Sequence, residues 1–194
     1  MKPNIIGIVG VVILFISLAL PWWTMALSPS ETVSLDGYSG NVMIYPYQAT
    51  ASLNPPGSSL VFRTDFWYGW VALALLILGG ILAIAGSLLQ GAKVILVGGG
   101  IMALLSIIIF ALGLQSDLSG STFVTGWPAL GLFVNGTFGG YFYTTYLSYG
   151  FWLALAATII ILLASLRKQK MVASTAPSLP STTSENPIKK EVCH

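Results

Sequence analysis

Residues 17–25 read SLALPWWTM and close an uncharged stretch that begins at Pro3. The stretch is long enough to cross a bilayer, which takes roughly 20 apolar residues. Proline lacks a backbone N–H and ends or bends a helix, and tryptophan favours the level of the lipid headgroups. This ending predicts a membrane helix over about 4–25 that stops at an aqueous boundary and leads into an outer loop.

Working outward, the same pattern recurs along the chain. Of 194 residues, 55% are hydrophobic and only 7% charged, against roughly 25% charged in a soluble domain. No Asp, Glu, Lys or Arg occurs in 3–30, 66–92, 94–116 or 118–166. Spans are therefore expected near 4–25, 66–89, 92–115 and 148–166. The fourth uncharged run is too long for one helix, and its opening, LSGSTFVTGWPALGLFVNGTFGGYFYTTY (118–146), is rich in Gly, Thr and Tyr and reads as a loop. A secretory signal peptide is the alternative for the first run, given Lys2, the apolar core and the small residues Thr24 and Ala26. Its core exceeds the roughly 7–15 residues of such peptides, which favours a retained helix.

Orientation follows from the cations, because positive residues near span ends stay on the cytoplasmic side. Lys2, Lys93, Arg167, Lys168 and Lys170 share one side of a four-span arrangement, with Arg63 on the other. Both termini are expected in the cytoplasm, with the protein in the cell membrane. Glu31, Asp36, Asp65 and Asp117 then lie outside. The net charge of +2 is a topology signal and gives no reason to expect a nucleic-acid partner.

The organisation is a four-helix transmembrane domain over 1–170 and a tail over 171–194. Spans two and three are separated only by QGAK (90–93), so they form an antiparallel hairpin with Gly91 at the bend. Gly79 and Ala83 in one, and Gly99 and Ala103 in the other, are spaced to let backbones approach in lipid. Packing inside the bundle is favoured over an interface with another subunit. The loops 27–65 and 116–147 show strand patterns. TVSLDG and NVMIYPY flank Asp36-Gly37, SSLVF offers another short strand, and Asn135-Gly136 in LFVNGTFGGYFY is the stronger hairpin signal. A small antiparallel sheet on the outer helix ends is expected, with Pro46, Pro55, Pro56 and Pro128 at edges or turns. The tail, rich in Ser, Thr and Pro, is too polar to offset the entropy of ordering and is expected to be disordered.

Little in the chain suggests a reaction. The spans contain no Asp, Glu, Arg or His, whereas ion-coupled transporters place ionisable groups inside the membrane. Cys193 and His194 are single residues of their kinds, so neither an internal disulfide nor a bis-histidine haem can form within the chain. No enzyme activity, metal or cofactor is expected. The outer acids read as solvated loop charges rather than paired catalytic carboxylates. Asn135-Gly136-Thr137 satisfies the N-glycosylation sequon, while the same Asn-Gly suits a type I′ turn, and both readings stay open. Trp22, Trp23, Phe66, Trp67, Tyr68, Trp70, Tyr146, Tyr149, Phe151 and Trp152 read as an aromatic belt at the outer boundary, with a lipid or quinone pocket as the alternative.

ISLALPWWTM resembles the end of the first span in claudins and related peripheral-myelin-type tetraspan proteins, where an Ala-Leu-Pro-x-Trp motif leads into the first extracellular loop. The matching residues are Ala19, Leu20, Pro21 and Trp23. AKVILVGGGIMALL and YLSYGFWLALAA are similar to the starts of the family's third and fourth spans. The resemblance covers 1–170 and implies a mainly α fold, a claudin-like four-helix bundle with a small extracellular antiparallel β-sheet. The family's Gly-Leu-Trp and cysteine pair are missing where DGYSGNVMIY stands, so no disulfide staples this sheet, and the tail lacks the family's scaffold-binding C-terminal motif. The function expected is lateral assembly or adhesion through outer loops and helix surfaces. Its partners would be membrane lipids, copies of the chain as a homo-oligomer, or other membrane-protein subunits. An accessory subunit of a membrane enzyme or respiratory complex, a viral envelope protein, and a pore lined by loop acids such as Asp36 and Asp65 are the alternatives.

Overall fold

The computed structural model describes residues 3–29, 39–54, 66–89, 92–119, 130–138 and 140–166. In chain order these form α1 (Ile5–Leu18), β1 (Trp23–Pro29), β2 (Ser39–Ile44), β3 (Ala49–Asn54), α2 (Trp67–Leu88), α3 (Lys93–Ser119), β4 (Val134–Phe138), β5 (Tyr141–Leu147) and α4 (Tyr149–Leu166). The segments TVSLDG and SSLVF, the residues Pro55, Pro56 and Pro128, and the tail lie outside the described residues.

Helices α2, α3 and α4, with 22, 27 and 18 residues, are long and apolar enough to cross a membrane. Their small residues tend to face inward and many of their large apolar ones outward. On α2 the buried positions include Ala72, Gly79, Gly80, Ala83 and Gly86, while Ile77, Leu78, Ile81 and Leu82 are exposed. Such an apolar exterior would associate in water. In hydrocarbon, where the hydrophobic effect does not drive helices together, small inward residues let backbones approach and gain dispersion contacts.

The α2–α3 contact shows that closeness directly. A Cβ added to Gly79 would lie 2.8 Å from the Gly99 carbonyl oxygen and 3.0 Å from the Ala103 nitrogen; one on Gly99 would lie 2.6 Å from the Gly79 oxygen and 2.7 Å from the Ala83 nitrogen. Nearer the sheet, the Ser106 hydroxyl donates to the Ala72 carbonyl across the same interface at 2.6 Å.

The bundle is antiparallel throughout, with α1 packed on α2 and α4, and α3 packed on α2 and α4. Asn4 fastens the end remote from the sheet. Its side-chain oxygen caps α1 by accepting from Gly7 N–H at 3.4 Å. Its amide group donates to the Ala164 carbonyl near the end of α4 at 3.0 Å. Its backbone N–H donates to the Ser87 carbonyl near the end of α2 at 2.9 Å. One short polar side chain thus satisfies orphan groups on more than one helix end.

The first helix is shorter than its hydropathy predicts, and it falls below the length of the three candidate spans. The helix ends at Leu18, not Met25, and β1 begins at Trp23. Ala19 N–H donates to the Ile16 carbonyl and Leu20 N–H to that of Ser17, tightening the last turn. Pro21 cannot add another such bond. With 14 residues, α1 rises only about 21 Å, and the apolar residues after it belong to the sheet.

That sheet has five antiparallel strands in the order β3-β2-β1-β5-β4, so the strand leaving α1 is central. β1 pairs with β2 from Trp23↔Ile44 to Leu27↔Gly40, and with β5 from Trp23↔Leu147 to Pro29↔Tyr141. Pro46 lies in the β2–β3 reversal, where Tyr45 N–H donates to the Gln48 carbonyl at 2.8 Å. Asn135-Gly136 is not a turn, contrary to the hairpin reading: both residues lie inside β4, paired with Thr144 and Tyr143. The chain reverses after Phe138, with Gly140 at φ 84°, a conformation that glycine adopts without a Cβ penalty. α3 also outruns its expected end at 115. Leu114 and Leu118 continue its buried face, and the Leu118 carbonyl accepts from Leu130 N–H at 2.7 Å.

Candidate interaction surface and its seat on the helices

The sheet is seated on the bundle by Trp22, which is 0% exposed. Its indole N–H donates to the Ser17 carbonyl at 3.0 Å, satisfying an acceptor at the end of α1. Its backbone N–H donates to Ile44 on β2 at 2.8 Å, and its carbonyl accepts from Ser148 N–H, just before α4, at 2.9 Å. The ring meets Phe110 of α3 edge-on at 4.9 Å and Phe151 of α4 at 6.1 Å. Phe110 in turn meets Tyr68 of α2 at 6.2 Å. One residue therefore joins four elements: its ring contacts or bonds α1, α3 and the start of α4, and its backbone N–H bonds β2. Gly150 makes room for it: an added Cβ would lie 2.6 Å from both the Leu20 oxygen and the Trp22 ring.

This placement corrects the aromatic-belt reading. Trp22, Trp23, Phe66, Tyr68 and Phe151 are buried in the seat, whereas Trp67, Trp70, Tyr146, Tyr149 and Trp152 are exposed. The motif residues divide similarly. Ala19 caps α1, the Pro21 carbonyl accepts from Gly150 N–H at 2.9 Å, and Trp23 is a buried strand residue between Ile44 and Leu147.

The two faces of the sheet differ sharply in chemistry. Toward the bundle stand Trp23, Met25 and Leu27 of β1, Val42 and Ile44 of β2, and Tyr143, Thr145 and Leu147 of β5, all buried. The opposite face carries a cross-strand row, Ser52–Asn41–Ala26–Thr144–Asn135, that runs through all five strands. Ser52, Asn41, Thr144 and Asn135 are exposed. Beside that row stand Thr50–Met43–Thr24–Tyr146 on one side and Ser28–Phe142–Thr137 on the other. Among the described residues this face has no Asp, Glu, Lys or Arg. It offers hydroxyls, amides and a few rings, the residue types of adaptable contact surfaces.

The β4 side is held by Thr145, whose hydroxyl donates to the Gly131 carbonyl at 2.8 Å and accepts from Val134 N–H at 2.8 Å. Gln115 of α3 accepts from Leu132 N–H at 3.2 Å. Gly136 lies under the Tyr143 ring, where an added Cβ would stand 2.5 Å from the phenol oxygen. Close cross-strand approach, not a turn, is what requires glycine there.

Asp117 lies near the end of α3, while Glu31, Asp36 and Asp65 are outside the described residues. Among the described residues no group of His, Cys, Asp or Glu is arranged to hold a metal ion. Sequence reasoning overlooked Asn4, Thr145 and Gly150, each a short polar or small residue whose role depends on partners distant in the chain. Neither a protein-family model nor a curated protein matches the chain.

Proposed function

We propose that this is a non-enzymatic, claudin-like tetraspan membrane protein that acts in lateral assembly or adhesion, its outer sheet face being the contact surface. In this reading all four helices lie in the membrane, α1 with the chain up to Trp22 completing the shortest crossing. Lys93 at the start of α3 lies at the end remote from the sheet, and Arg167, Lys168 and Lys170 follow directly in sequence on the last residue of α4, Leu166; by the positive-inside rule that end is cytoplasmic.

The observation that supports this best is the uncharged polar row across the five strands, set on a rigid aromatic seat. A preorganised surface loses less entropy on association than a loose loop does. The absence of charge also removes the repulsion that keeps like copies apart. Partners of this chemistry are a second copy or another membrane subunit with a similar outer face.

Light scattering of the protein in lipid nanodiscs tests the proposal. The wild type should be an oligomer, and Asn41→Lys with Ser52→Lys should yield monomers while leaving the inward face and the helical signal unchanged. A monomeric wild type, or an oligomer indifferent to both lysines, would count decisively against it.

A further inference from the structure

We infer that Asn135 is N-glycosylated and that the first sugar of its glycan rests against exposed aromatic rings of the β4–β5 hairpin. The chain contains one Asn-x-Ser/Thr sequence free of proline, Asn135-Gly136-Thr137. In β4 the acceptor asparagine and its partner threonine are two residues apart, so both lie on one face. Both are exposed. The register fixes which face: Asn135 opposes Thr144 and Thr137 opposes Phe142, on the side away from the helices. Gly136, between them, points to the bundle side and is taken up by Tyr143. The acceptor amide is therefore free to carry a large substituent at the edge of the sheet.

A second observation is independent of the sequon. Phe133, two residues before Asn135, is 61% exposed, and Phe142, diagonal to Asn135 across the strand pair, is 48% exposed. Phe133 lies in the bend that leads into β4, while the register sets Phe142 on the same outward side as Asn135. The C–H face of a pyranose matches the electron-rich face of an aromatic ring, which makes the first sugar a suitable cover.

In the transfer, the Asn135 amide nitrogen forms a bond to the anomeric carbon of a lipid-phosphate-linked oligosaccharide. The bond from that carbon to the phosphate oxygen breaks, the lipid phosphate leaves with the bonding electrons, and the amide loses one proton to solvent. A glycan there covers the β4 edge, where unpaired backbone groups invite another strand, and leaves the β3-β2-β1 side of the face open.

The inference rests on the proposed orientation, with the sheet outside, so the test separates the two. The intact mass of the protein purified from its native membrane should exceed the sequence mass by a glycan, and the excess should vanish in Asn135→Gln and Thr137→Ala and persist in Thr137→Ser. Asn135→Cys in a Cys193→Ser chain should react with a membrane-impermeant maleimide added to intact cells. Labelling from outside together with an unmodified native mass overturns glycosylation alone; failure of outside labelling overturns orientation and glycosylation together. For the ring contact, Phe142→Ala should lower the unfolding midpoint more in the glycosylated chain than in the Asn135→Gln chain. Equal shifts in both would overturn the stacking.

Discussion

Trp22 concentrates more of the structure than any residue near it in sequence, because its indole, its backbone N–H and its carbonyl each serve a different element. Trp22→Ala should destabilise the protein by about 3–5 kcal/mol, the range for deleting a buried aromatic, as measured by denaturant unfolding in mixed micelles. Trp22→Phe should recover most of the packing yet leave the Ser17 carbonyl without its indole donor. Asn4 allows a finer dissection. Aspartate caps a helix as well as asparagine does, but it cannot donate to Ala164. Asn4→Asp should therefore loosen the α1–α4 contact while keeping α1 capped, seen as faster proteolysis near the two chain ends with unchanged helical signal; Asn4→Ala should add a capping loss of about 1 kcal/mol. Gly136→Ala should lower the unfolding midpoint because the new methyl meets the Tyr143 ring, and adding Tyr143→Phe should relieve only the part of the clash due to the phenol oxygen.

Among the elements, the α2–α3 hairpin makes the sharpest prediction. Gly99→Leu would drive a side chain into the backbone of Gly79 and Ala83, and overpacking of this kind costs about 1–3 kcal/mol or more. The exposed change Ile101→Leu on the same helix should be nearly silent in the same unfolding measurement. The spans α2 and α4 were readable within a residue or so at each end, because charge or polar loop chemistry interrupts their apolar runs at the places where the helices stop. The first span was misread for a physical reason. Trp23 and Met25 are buried strand residues, and hydropathy scores a buried strand and a buried helix alike, so WWTM reads as more of the same helix. β3, with the sequence ATASLN, has little strand propensity of its own and takes its form from pairing with β2. Asn135-Gly136 carried a true local preference for a turn, and it lost to Tyr143 packing and to the freer Gly140 a few residues later. Of the candidate surface, the residue types were legible in sequence, but the row they form needed the register.

At the scale of the molecule, the proposed membrane placement sets the apolar helix exterior in lipid and the polar sheet face in water. Alkaline carbonate washing should leave the protein in the membrane pellet, and a bulky lipid-soluble quencher should quench Trp67, Trp70 and Trp152 far more than Trp22 or Trp23, which lie inside. The central position of β1 has a further consequence, for synthesis. Its neighbour β2 follows closely in the chain, whereas β5 emerges about a hundred residues later, after α2 and α3. At roughly 5–20 residues per second, one edge of the middle strand stands open for on the order of 5–20 s of translation. The sheet is thus closed last, by the segment that carries α4 into place, and a chain arrested after α3 would present a raw strand edge to whatever passes.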